Sequence, residues 1–152
     1  VAAARSIPAS AARLAAAGRS NTLGLSRLAL EEVHATLDAA DSKVTRDDTR
    51  AYARVPVRGD AIAVCLEHPG GTTAELLMAG RNLSRGGVSL LHSGFVHAGT
   101  RCIVRLPLSS DLVASFPGEV VRCTHRGGQL HEIGVKFARP LEQELVQRAA
   151  AA

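Results

Sequence analysis

The amino-acid sequence predicts a mainly β fold: a six-stranded antiparallel β-barrel, with an amphipathic helix before it and a short helix after it. From Val55 onward apolar residues recur at every second position, the spacing of half-buried strands. The runs are short and turn signals separate them, which favours an antiparallel barrel over βαβ units. Ahead of them, Leu30, Val33 and Leu37 fall at i, i+3 and i+7, on one helical face, with Glu31, Glu32 and Asp38 off it.

Residues 1–25 read as a low-complexity tail, rich in alanine and expected to be poorly ordered, with at most a short helix around Ala9–Ala17. They contain no continuous apolar core of the kind a signal peptide needs. Residues 26–40 form the amphipathic helix, with Ser26 as its N-cap. Its apolar stripe is expected to dock on the barrel, or on a second copy of the chain as a homodimer contact. Residues 41–51 are polar, mixed in charge and aperiodic, so 26–45 is read as helix and linker.

In residues 60–67, Ile62, Val64 and Leu66 alternate with Ala61, Ala63 and Cys65. His68-Pro69-Gly70-Gly71 is a turn, and residues 73–81 are the second strand. Gly87–Leu91 is the third. In Arg101–Leu108, Cys102, Val104 and Leu106 face one way and Arg101, Ile103 and Arg105 the other. Phe116–Arg126 and Leu130–Phe137 make a hairpin about Gly127-Gly128. Pro140 is expected to open the last helix as a first-turn residue, with Glu142 and Glu144 early in it and Arg148 late.

Aromatic residues are 3% of the chain, so the core must be built from aliphatic side chains. No apolar run approaches the ~18 residues of a membrane-spanning helix. The three cysteines, Cys65, Cys102 and Cys123, include no Cys-x-x-Cys and make no disulfide framework. Reduced thiols and a cytoplasmic location are the expectation. The net charge of +4 favours an anionic partner. The six histidines show no ligand spacing, so no metal or other cofactor is expected. No carboxylate pair or activated serine stands out, so the chain is not read as an enzyme.

Two short segments remain. Arg81-Asn82-Leu83-Ser84-Arg85-Gly86-Gly87-Val88 reads as a polar, glycine-bearing turn between strands. Upstream, Arg50-Ala51-Tyr52-Ala53-Arg54 sets two arginines four apart, directly before Val55-Pro56-Val57. Arg-x-x-x-Arg followed by Asn-x-Ser-x-x-Gly, with strands after both, resembles the PilZ domain family. Gly118-Glu119-Val120-Val121-Arg122 and Glu132-Ile133-Gly134-Val135-Lys136-Phe137 also look like its closing strands. The resemblance covers residues 46–148. Thr49 stands where many ligand-binding members carry a further arginine, and Asn82 where aspartate is frequent.

The resemblance implies a small bacterial β-barrel that binds the second messenger cyclic di-GMP. Arg50 and Arg54 would be arm ligands, and Asn82, Ser84 and Gly87 the barrel-side wall. Arg46, four before Arg50, offers a second frame. The chemistry suits the residue types. Guanidinium matches the O6/N7 edge of guanine with two parallel donors and pairs with phosphate by charge-assisted hydrogen bonds. Ligand binding would order the Arg46–Arg54 arm and change contact with a protein effector. The alternatives are a ligand-independent PilZ-like adaptor and a basic barrel binding nucleic acid. One tyrosine and three phenylalanines are a thin stacking platform for the latter.

Overall fold

The computed structural model describes residues 21–42 and 51–152, together with the main chain of Arg5–Ser6. The expected helix at Ala9–Ala17 and the arginines Arg46 and Arg50 lie outside the described residues. The elements are β1 (Arg5–Ser6), α1 (Arg27–Ser42), β2 (Val55–Pro56), β3 (Ile62–Glu67), β4 (Thr73–Leu83), β5 (Gly87–His92), β6 (Arg101–Pro107), β7 (Val113–Gly127), β8 (Leu130–Phe137) and α2 (Gln143–Ala151). Strands β3 to β8 pair antiparallel in the cyclic order β3-β4-β5-β8-β7-β6 and close back on β3, a six-stranded barrel. β2 adds to β4, and β1 adds to β7.

The period-two pattern sorts the strands. Ile62, Val64, Leu66, Met78, Leu90, Val104, Leu106, Val120 and Ile133 fill the interior with almost no exposed surface. Two of the three phenylalanines, Phe116 and Phe137, meet there with ring centroids 5.9 Å apart. Cys102 points inward, and burial pushes its thiol up to about 11. None of the three cysteines is in a disulfide. Leu141, Val146 and Ala149 extend this cluster, so α2 and the segment before it cover part of the barrel core. Pro140 lies outside α2, which begins at Gln143 with Glu142 as N-cap. The chain from Phe137 to Leu141 remains tied to the barrel by the Phe137 N–H to Gly86 O and Leu141 N–H to Arg85 O bonds, and the helix starts only beyond them.

Ser26 caps α1 as expected, its Oγ accepting from the Ala29 N–H. The helix docks on the outside of the barrel, where Leu30 and Leu37 cover Ala79 of β4 and Leu91 of β5. Its C-terminal turn carries Asp38 and Asp41 and no basic residue, which the helix dipole disfavours. Barrel arginines offset this. Arg81 bonds Asp41 at 2.7 Å and Asp38 at 3.3 Å, Arg126 bonds Asp41 at 2.8 Å, and Arg58 bonds Asp38 at 3.2 Å.

His34 is buried under this end of the helix and accepts from Arg58 at 2.6 Å. Burial, aided by the Arg58 charge, pushes its pKa down to about 4 against the opposing pull of Asp38. Burial lowers His92 in the same direction. In the unfolded chain an imidazole takes up a proton near pH 6.5, whereas folded His34 stays neutral until about pH 4. Stability is therefore expected to fall as pH drops through that window. His34→Gln should flatten the dependence in urea titrations between pH 4 and 7. An unchanged slope would contradict the assignment.

Candidate functional site

β4 carries a bulge at Arg81: Gly80 pairs with Leu90, but Asn82 pairs with Ser89. The extra residue shifts the parity, so Leu83 enters the core while both Arg81 and Asn82 lie on the outer side. Arg81 runs to α1 and Glu132, and Asn82 opens onto a cleft. Asn82 is thus a strand residue, and the turn itself is Ser84–Gly86. Ser84 holds that turn: its Oγ accepts the N–H of Gly86 and of Gly87, each at 3.2 Å. Its own hydroxyl proton has only a long 3.4 Å contact, to Gly87 O. The Asn82 side-chain amide has no hydrogen-bond partner among the described residues.

β2 brings the arginine segment to this turn. Val55 pairs with Leu83 and Pro56 with Asn82, a register that delivers Arg54 beside Ser84. The Val57 N–H to Arg81 O bond fixes the same strip one step further along. Gly87 is required by packing. A Cβ there would stand 2.2 Å from the Val135 carbonyl oxygen, so β5 approaches β8 only through this glycine. Neither Gly86 nor Gly87 has a positive φ.

The cleft, of about 260 Å³, is lined by Arg54, Asn82, Ser84, Gly86 and Gly87, and on its far wall by Arg122, Gly134 and Lys136. Four of the five expected residues are therefore together; the fifth, Arg50, lies outside the described residues. Arg122 and Lys136 were not among them. In register, Arg122 faces Gly134 and Lys136 faces Gly87. Because Gly134 has no side chain, the Arg122 guanidinium lies along its backbone, with Nε and Nη2 3.5 Å from where a Cβ would be. Arg122 has no hydrogen bond or ion pair among the described residues. Counting the hairpin outward from the Gly127–Leu130 pair would have set Arg122 opposite Val135; the bulge between His125 and Gly127 shifts the register by one, to Gly134.

Three cations line this cleft and, among its described lining residues, no carboxylate does. A larger hollow of about 540 Å³, between Leu66–Gly71 and Phe95–Arg101, mixes Glu67 with Arg101 and gathers no comparable set of donors. The described residues hold no group of three metal-ligating side chains. No helix among them is long and apolar enough to cross a membrane. Charge and hydrogen-bonding capacity in this cleft are those that can pair with an anionic group.

Comparison with known proteins agrees with this architecture. The PilZ domain model matches residues 48–151. No curated protein matches the chain. Among solved structures, the chain is similar to the PilZ domain with c-di-GMP of YcgR from Escherichia coli. That match has 16% identity and a TM-score of 0.51, and covers 68% of this chain and 90% of that one. It is also similar to the Bacillus subtilis inhibitor of motility MotI/DgrA, at 19% identity and a TM-score of 0.48. There 69% of this chain is covered, and the match spans about half of the other protein, 51%. With its closed barrel, flanking helices and a family match over most of its length, the chain belongs to the PilZ domain family.

Proposed function

We propose that this chain is a non-catalytic receptor for cyclic di-GMP, bound in the cleft between the Ser84 turn and the Arg122–Lys136 wall. One observation carries the reading: Arg54, Asn82 and Ser84 converge with Arg122 and Lys136 in a cleft whose described lining residues include no carboxylate. The ligand has two phosphates and two guanines. Arg54 and the preceding Arg50 supply bidentate donors for a guanine edge or a phosphate. Asn82 offers a donor and an acceptor, and Ser84 donates a hydroxyl that its turn holds only weakly. Arg122, flat on Gly134, presents its other face to a base, and Lys136 meets the phosphates as a point charge.

The cleft is smaller than the ~300–1,000 Å³ of enclosed ligand sites, so the reading needs cover from outside the barrel wall. The segment before Arg54 supplies the cover. Ligand binding would order the Arg46–Arg54 arm against the turn, reposition the N-terminal helix and so change contact with a protein effector. Amide hydrogen exchange across the Arg46–Arg54 arm should slow at saturating ligand; equal exchange would remove the ordering step.

Calorimetric titration tests the reading itself. The parent is expected to bind cyclic di-GMP at micromolar concentration or tighter. Arg54→Ala and Asn82→Ala should each weaken binding about tenfold to a hundredfold, the cost of ~1–3 kcal/mol for a lost specific contact. A parent that gives no heat and no ligand-induced protection would end it.

A further inference from the structure

We propose that Tyr52 is a positioning residue, which latches the arginine arm onto the turn through Arg85 and so joins the ligand site to the segment leading into α2. This rests on the ligand reading above. Tyr52 stands midway between Arg50 and Arg54. The Arg85 guanidinium carbon lies 5.1 Å from the Tyr52 ring centroid, a cation–π contact. The ring edge comes within 3.1 Å of where a Cβ on Gly86 would stand, so the tyrosine occupies space that this glycine leaves open.

Arg85 is itself fixed. Its Nε donates to the Leu141 carbonyl at 2.7 Å, and the Leu141 N–H donates back to the Arg85 carbonyl at 2.7 Å. Leu141 is buried in the main core two residues before α2 begins. A continuous line of contacts therefore runs from arm to ring, to guanidinium, to the chain that enters the C-terminal helix. The latch holds Arg54 at the mouth of the cleft before ligand arrives, which reduces the ordering that binding must supply.

Tyr52 is the chain's single tyrosine and there is no tryptophan, so tyrosine emission reports this contact alone. Acrylamide quenching without ligand would be measured on the parent and Arg85→Gln, and calorimetric affinity for cyclic di-GMP on the parent, Tyr52→Phe, Tyr52→Ala, Arg85→Gln and the double variant Tyr52→Ala/Arg85→Gln. Arg85→Gln should leave Tyr52 more readily quenched. Arg85→Gln and Tyr52→Ala should each weaken binding about two- to fivefold, the range of one partly exposed cation–π contact. Tyr52→Phe should bind like the parent, because the ring and not the hydroxyl carries the contact, and the double variant should be no weaker than the worse single one. Unchanged quenching in Arg85→Gln, parent-like affinity in Tyr52→Ala, or additive losses in the double variant would each overturn the latch. A parent that binds no ligand overturns the receptor reading and the positioning role with it, while quenching in Arg85→Gln still reports whether the contact exists.

Discussion

Arg81→Met is expected to cost about 3–5 kcal/mol of folding stability, the range for breaking a buried ion pair by removing one partner. Arg81 is 4% exposed and reaches both oxygens of Glu132, itself 4% exposed, at 2.8 and 2.9 Å. Without it Glu132 keeps only the longer 3.3 Å contact to Arg126, and Asp41 loses one of its two arginines. Urea titration would show the loss. Arg81→Met/Glu132→Leu should recover most of it, because no buried charge is then left alone. Equal losses in the single and double variants would mean that the charge network is not what holds α1. The same arginines hold Asp41 below the usual carboxylate range although burial pushes it up.

The second large effect belongs to Gly87→Ala. The new methyl group would meet a backbone carbonyl, not a movable side chain, so strands β5 and β8 must part where Gly87 pairs with Lys136. Overpacking of this kind costs about 1–3 kcal/mol, occasionally more. The shift would also displace Ser84, whose hydroxyl caps the Gly87 N–H, and Lys136 across the cleft. Cyclic di-GMP binding is expected to be lost along with stability. Gly86→Ala should be far milder, because its methyl would meet side-chain atoms, chiefly the edge of the Tyr52 ring, and no backbone. Thermal unfolding of both variants, beside titration, separates the two; equal melting temperatures would contradict the packing role of Gly87.

Most of the barrel was legible because alternation is a direct consequence of strand geometry. Leu130–Phe137 appears with the expected bounds, and the other barrel strands differ mainly at their ends. The amphipathic stripe likewise predicted α1 and its docking face, although His34 is more buried than Val33. What failed did so for local reasons. The bulge at Arg81 breaks the period of two, so the sequence pattern could not show that Asn82 is still in β4 or that Arg81 turns toward the helix. Pro140 carries a helix-start signal, but the hydrogen bond from Leu141 to Arg85 holds the chain to the barrel past that point. Arg54, Asn82, Ser84 and Gly87 could be named as candidates because their motifs resemble those of the PilZ family, and all four line one cleft. Arg122 and Lys136 could not, because they reach the cleft only through the pairing of β8 with β7 and β5, and two bulges interrupt the β7–β8 register.

The most direct measurement is an amide chemical-shift titration of the isotope-labelled chain with cyclic di-GMP. A receptor using this cleft should show saturable shifts concentrated at Asn82–Gly87, Arg122 and Gly134–Lys136, with changes through residues 51–54. Shifts confined to the far hollow, Leu66–Gly71 and Phe95–Arg101, or none at millimolar ligand on the order of 1 mM, would contradict it.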